Sequence, residues 1–245
     1  MRQFRAALTN EFAHVMKKRK TIVFYAIDIV IVFCYGLFLV LSHSSGFSIG
    51  LAGFLGSLYT IFFYIIFPLY IFLETMDIFT GETTNLTIRN VLVRPVTRTK
   101  VYLAKVCAVC GFILIQILYA GILSAIVSAF TGSDAGSAII VFAAFVITFV
   151  PMIPFVFVAA FLSQTVKNGL LGMLLCILFL LVSYALEAFV PVVSAFLFVR
   201  HINLYKMILT GNIRLYGIFS ALFILAAYVG VTFTAGALLF EKKEF

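Results

Sequence analysis

The sequence predicts an all-α integral membrane protein with six transmembrane helices, and three observations carry that prediction. Of the 245 residues, 64% are hydrophobic and only 11% are charged. A water-soluble domain has roughly 45–50% apolar and about 25% charged residues, so too little polar surface remains here to cover a globule in water. The apolar residues also fall in six runs, each near the ~20 residues a helix needs to cross a hydrocarbon core about 30 Å thick. Lastly, lysine and arginine gather on one set of connections, the bias that orients membrane helices.

The chain opens with residues 2–20, RQFRAALTNEFAHVMKKRK. Phe4, Leu8, Phe12 and Val15 recur at helical spacing with Ala7 and Met16 beside them, while Arg5, Asn10, Lys17 and Arg19 fall mostly elsewhere. This pattern is an amphipathic helix lying in the membrane interface, either a lipid anchor with a topology signal or a structural arm that touches a partner. The run that follows, Thr21 to Ser42, is preceded by KKRK. It is too long for a signal-peptide core and lacks a small-x-small cleavage site, so it reads as a retained span.

The second run covers about Gly50 to Leu73, led in by Gly46, Gly50, Gly53 and Gly56, whose spacing suits close helix packing. The third covers about Val101 to Phe130 and the fourth about Ser137 to Leu162. The fifth starts near Gly169 and ends between Leu186 and Phe198; the sixth covers about Tyr216 to Phe240. Together they form one transmembrane domain over residues 1–245, with an outer segment at 187–215 that includes the apolar stretch Phe189 to Val199. With the N-terminus inside, fourteen Lys and Arg face the cytoplasm and three, Arg200, Lys206 and Arg214, face out. The reverse topology inverts the rule, so both termini are expected in the cytoplasm. The formal charge of +8 is absorbed by this asymmetry, and no nucleic-acid partner is implied.

One connection stands out: GETTNLTIRNVLVRPVTRTKVYLAK, Gly81 to Lys105. It carries Arg89, Arg94, Arg98, Lys100 and Lys105 and no acid after Glu82. Glu74 and Asp77 come as the second run leaves the membrane, and Gly81 is expected to break the chain. Glu82 to Val93 has the length of about three helical turns. Arg94 precedes Pro95, which disfavours helix there, and Thr97 or Thr99 then caps the third run. The whole of 74–100 is longer than a plain connector needs, which makes it a docking feature or a basic topology signal.

Within the membrane, Asp28 is costly unless paired or wet. It lines a conduit, makes a structural hydrogen bond, pairs near the inner interface or takes a proton. Glu187 lies near the outer end of the fifth run. Pro151 and Pro154 free backbone carbonyls in the fourth run and favour a kink, which lines or gates a path or bends around a neighbour. Cys107 and Cys110 read as two small residues on one helix face rather than a redox or metal pair. The sequence has no G-x-x-x-x-G-K-[ST], H-E-x-x-H or G-x-S-x-G, and His14, His43 and His201 are far apart. It is not expected to be an enzyme, nor to bind a cofactor itself.

The order of Arg89, Leu92, Arg94, Pro95, Val96, Thr97 and Arg98 resembles the cytoplasmic loop of type-2 ABC exporter permeases, E-x-x-x-G-T-L-R-x-L-L-x-R-P-V-S-R. Leu86 matches with Asn85 in the glycine place and Thr87-Ile88 inserted; alternatively Thr87-Ile88-Arg89 is the Thr-Leu-Arg, which needs no insertion and is preferred. The basic amphipathic N-terminus, six runs, longer fifth-to-sixth connection and charged EKKEF end extend the resemblance over nearly the whole chain.

The resemblance implies a permease that works in a pair, with an identical copy or a paralogue, coupled to two ATP-binding subunits that carry ATP and Mg. It places an ATPase-coupling helix after the second span. Glu74, Asp77, Glu82, Thr83, Thr84, Leu86, Arg89 and Asn90 would face the ATPase, with Lys167 in a minor second contact. Arg94, Pro95, Thr97 and Arg98 would anchor the loop to the third span and headgroups. Asp28, Pro151 and Pro154 would belong to the translocation path, and Phe189 to Val199 would dip back into the outer leaflet. The expected role is export of a hydrophobic or amphipathic substrate, a peptide first, from a bacterial plasma membrane. The rivals are an ion-coupled secondary transporter and a non-transport membrane scaffold or immunity protein.

Overall fold

Runs this apolar bury their backbone polar groups in helical hydrogen bonds, the arrangement that lipid demands. The computed structural model describes residues 2–44, 57–84, 98–130, 135–166, 168–209 and 215–242, all but a few of them helical. Six helices are long and apolar enough to cross a membrane: Arg19–Leu41, Ser57–Gly81, Arg98–Phe130, Ala138–Thr165, Gly169–Phe189 and Tyr216–Lys242, here spans 1 to 6. A helix at Arg2–Met16 precedes them. Spans 2, 3 and 4 bury half or more of their residues and form the centre; spans 1, 5 and 6 bury less than a third and lie around them.

The helices run past several of the expected limits. The second span does not end at Leu73: its helix continues through Glu74, Asp77 and Gly81 to Thr84. Gly81 is no break, and the acids are tolerated inside the helix because two lysines meet them. Span 3 starts at Arg98, and span 6 runs on to Lys242. Span 4 remains helical through Pro151 and Pro154, both of them buried. Gly46, Gly50, Gly53 and Gly56 lie outside the described residues.

Glycines set how closely the helices approach. A Cβ at Gly236 of span 6 would sit 2.2 Å from the Tyr102 hydroxyl of span 3, and one at Gly172 of span 5 would sit 2.5 Å from Met76 Sδ of span 2. A larger residue at either place requires the neighbouring side chain to shift. Span 5 begins where Asn168 accepts a hydrogen bond from the Leu170 N–H at 3.0 Å, which satisfies one orphan donor of the first turn.

Span 2 contains a π-helical segment, Ile61–Ile66. Around it lies a stack of rings. Tyr59 meets Phe63 at 4.3 Å and Tyr205 at 4.1 Å, and Phe145 of span 4 meets Phe63 at 5.1 Å. The Tyr64 carbonyl, inside the wide turn, accepts the Tyr184 hydroxyl at 2.8 Å.

The connection between spans 5 and 6 is built of a short helix Pro191–Ser194, a 3-10 turn Phe198–Asn203 and a helix Leu204–Leu209. The apolar stretch expected to dip back divides in two. Phe189, Val192 and Phe196 are exposed, whereas Phe198, Val199, Ile202, Leu204 and Tyr205 are buried. Tyr59 donates to the Ile202 carbonyl at 2.6 Å and shares a 2.5 Å hydrogen bond with Thr148 Oγ1. Asn203 donates to Tyr64 at 2.6 Å. The connection is therefore held against the first part of span 2 and against span 4 at Thr148.

Candidate functional site

Charged side chains concentrate on the helices that flank the 84–98 connection, and several of them pair across elements. The short turn after the first helix delivers KKRK so that alternate lysines face span 2. Lys18 Nζ lies 3.1 Å from Glu74 Oε1 and 2.5 Å from Asp77 Oδ2. Lys20 Nζ lies 3.4 Å from Glu74 Oε2 and 2.6 Å from Asp77 Oδ2. Burial alone would lower the Lys18 ammonium, but its hydrogen bond to Asp77 and the charges of Glu74 and Asp77 outweigh that and hold its pKa above the ordinary value. Thr21 Oγ1 donates to the Val15 carbonyl at 2.8 Å and fixes the bend between the first helix and span 1.

A second ion pair ties the first helix to span 3. Lys105, expected in the basic loop, is instead fully buried on span 3, and its Nζ lies 3.3 Å from Glu11 Oε2. Gly111, less than two turns further along, lets the Phe12 ring approach, which a Cβ there would meet at 3.0 Å. The amphipathic helix is thus packed on the bundle: Val15 is buried, and Leu8, Phe12 and Met16 pack against the core. A third contact ties span 3 to span 6. Arg98 Nη1 donates to the Glu241 carbonyl at 2.9 Å, a cation at a helix C-terminus. Of the two cap candidates, Thr99 Oγ1 donates instead to Glu241 Oε1 at 2.7 Å, and Thr97 lies outside the described residues.

The helices on either side of the 84–98 connection are therefore tied to neighbours, two to three turns before it on span 2 and at its end on span 3. Of the expected coupling residues, Glu74 is fully buried and Asp77 half-exposed, both held by Lys18 and Lys20. Glu82, Thr83 and Thr84 form the last turn of span 2's helix. Leu86, Arg89, Asn90, Arg94, Pro95, Thr97 and Lys167 lie outside the described residues. Arg98 holds the end of span 6.

The second cluster is inside the membrane. Asp28 is fully buried on span 1, about 13 Å along the helix from Arg19 at 1.5 Å per residue. It has polar partners that spacing in the sequence does not reveal. Tyr70 of span 2 donates to Oδ1 at 3.0 Å, and Gln116 Nε2 of span 3 donates to Oδ2 at 2.5 Å. Tyr70 also lies 3.2 Å from the Phe24 carbonyl. Gln116 was not singled out from the sequence, although a lone glutamine in an apolar run is the signal that could have found it. The four cysteines are free, and no group of three or more His, Cys, Asp or Glu forms among the described residues.

These features define a multi-pass membrane protein whose charges converge on one inter-span connection, and comparison with known families gives it a place. The model of the ABC-2 family transporter proteins matches residues 7–183, from the first helix through most of span 5, and the chain belongs to that family. Membership makes it a membrane subunit of an ABC transporter, whose partner is an ABC ATP-binding subunit. No curated protein matches the sequence.

Proposed function

We propose that this chain is the permease of an ATP-driven exporter in a bacterial plasma membrane, with both termini in the cytoplasm. It carries a hydrophobic or amphipathic substrate, a peptide first, and works as a pair of permeases with two ATP-binding subunits. ATP and Mg are held by those partners.

The observation that supports this reading most is the pairing of the helices that flank the 84–98 connection with their neighbours. Lys18 and Lys20 meet Glu74 and Asp77 on the side where span 2 leaves, and Glu11 meets Lys105 near the start of span 3. A loop pushed by a soluble motor must pass force to the helices rather than flex at its base. Buried or multiply paired charges resist such flexing, because separating one partner leaves a charge uncompensated. Glu82, Thr83, Thr84, Leu86, Arg89 and Asn90 are then the contact with the ATPase and Lys167 a smaller one. Arg94, Pro95 and Thr97 turn the chain back toward span 3. Pro151 and Pro154 face the path on which substrate moves.

The test is co-purification with the co-expressed ATP-binding subunit, comparing wild type with Glu82→Arg plus Arg89→Glu. The wild-type complex is expected to survive size exclusion, and the double variant to lose most of the ATPase. A wild-type chain that never retains the ATPase would overturn the reading.

A further inference from the structure

We propose that the Asp28 cluster is a recognition site for an organic ammonium group, which makes lipophilic amines and cationic amphipathic peptides the substrate class. The proposal rests on the permease reading above and gives its path a chemistry.

The first observation is the acid's isolation. Asp28 is fully buried, and among the described residues no ion pair involves it. Lys18 and Lys20 are committed to Glu74 and Asp77, and Arg19 between them is exposed. A carboxylate this deep is expensive to keep and its default reading is functional. The two hydrogen bonds from Tyr70 and Gln116 hold it in place without neutralising it.

The second observation is independent of the carboxylate. Gln116 is also fully buried, and its Oε1, on the same amide that reaches Asp28, has no hydrogen-bond partner. A buried acceptor left without a donor carries a penalty that a native structure usually avoids. An R–NH3+ group supplies three donors and a positive charge. It would satisfy the orphan amide oxygen and the carboxylate together, with charge-assisted hydrogen bonds.

The third observation is the wall. Phe24 stacks on Tyr70 at 4.2 Å and lies 6.0 Å from Phe112. Tyr25 of span 1 meets Tyr119 of span 3 edge to face at 4.8 Å. Two groups of rings from three spans thus pack near the acid, one of them through Tyr70, which donates to it. Aromatic faces attract organic cations and tolerate their alkyl parts, whereas a bare metal ion would need more oxygen ligands than this site offers. Access lies between spans 1 and 3, where Tyr25 and Tyr119 are only partly buried. Span 1, with less than a third of its residues buried, is among the least encumbered of the helices that must move.

The test uses the full chain in lipid nanodiscs, without nucleotide or ATPase. The ligands are a dansyl-tagged alkyl primary ammonium and its N-acetylated, uncharged twin. Empty nanodiscs give the lipid background. Wild type is expected to bind the ammonium about tenfold or more tightly than the twin, the scale of one charge-assisted contact beside aromatic faces. Asp28→Asn should abolish that preference, and Gln116→Leu and Tyr25→Leu should each reduce it. Equal binding of the two ligands by wild type, or a preference that survives Asp28→Asn in a monodisperse variant, would overturn the proposal. If Asp28→Asn fails to fold, an undiminished preference in both Gln116→Leu and Tyr25→Leu would overturn it instead. Loss of the ATPase complex would refute the subunit reading and leave this measurement standing.

Discussion

The Glu11–Lys105 pair gives the sharpest energetic prediction. Lys105 is fully buried and Glu11 nearly so, with 3.3 Å between Nζ and Oε2. Replacing Lys105 by Met keeps the length of the side chain and removes the charge, which leaves a buried carboxylate uncompensated. Breaking a buried pair from one side costs about 3–5 kcal/mol. At about 2–4 °C per kcal/mol for a chain of this size, the thermal midpoint should fall by roughly 6–20 °C. Replacing both partners, Glu11→Leu with Lys105→Met, removes the desolvation penalty along with the attraction. Such swaps are neutral or stabilising by up to about 4 kcal/mol, so the double variant should recover most or all of the loss. The assay is retention of monodisperse protein on size exclusion after heating, run on wild type, both single variants and the double. A double variant as unstable as the sum of its singles would refute the coupling and show that the helix is held by Phe12 and Val15 alone.

Tyr59→Phe should cost about 1–3 kcal/mol, because the Thr148 hydroxyl and the Ile202 carbonyl lose a buried partner; faster hydrogen exchange at residues 198–209 would report it. Tyr102→Phe should change stability by less than about 0.5 kcal/mol, since its buried hydroxyl has no hydrogen-bond partner among the described residues. Gly236→Ala should be clearly destabilising by the same heating assay, and less so when combined with Tyr102→Phe, because the hydroxyl is the nearest atom the new methyl meets. Lys18 has its pKa raised in the folded chain, so its stabilising share is complete below about pH 10.5 and is lost as pH rises through the folded value. Lys18→Gln should therefore flatten the alkaline end of the stability profile.

The number of spans and the amphipathic first helix were legible because both follow from apolar periodicity alone. The end of span 2 was not. Glu74 and Asp77 read as an exit from the membrane, since a sequence shows that an acid is expensive but not that Lys18 and Lys20 stand opposite. Lys105 was assigned to a basic loop for the same reason: its partner Glu11 is distant in sequence. Asp28 was legible as the residue to explain, while Tyr70 and Gln116 became its partners only once three spans were packed. The Arg94-Pro95-Val96-Thr97-Arg98 motif pointed to the family through local order alone, and the family match agrees with it. The π segment at Ile61–Ile66 left no mark in the pattern, because IFFYII is apolar throughout and shows no periodicity to shift.

The central claim is that an ABC ATP-binding subunit docks on the connection between spans 2 and 3. It is tested most directly by photocrosslinking in membranes from cells co-expressing both chains. A benzophenone maleimide is attached at Leu86→Cys, or at Phe196→Cys on the opposite end of the bundle, in a background without the four native cysteines. The account predicts a crosslink to the ATP-binding subunit from position 86 and none from position 196. A crosslink from position 196, or none from 86 while the complex still co-purifies, would contradict it.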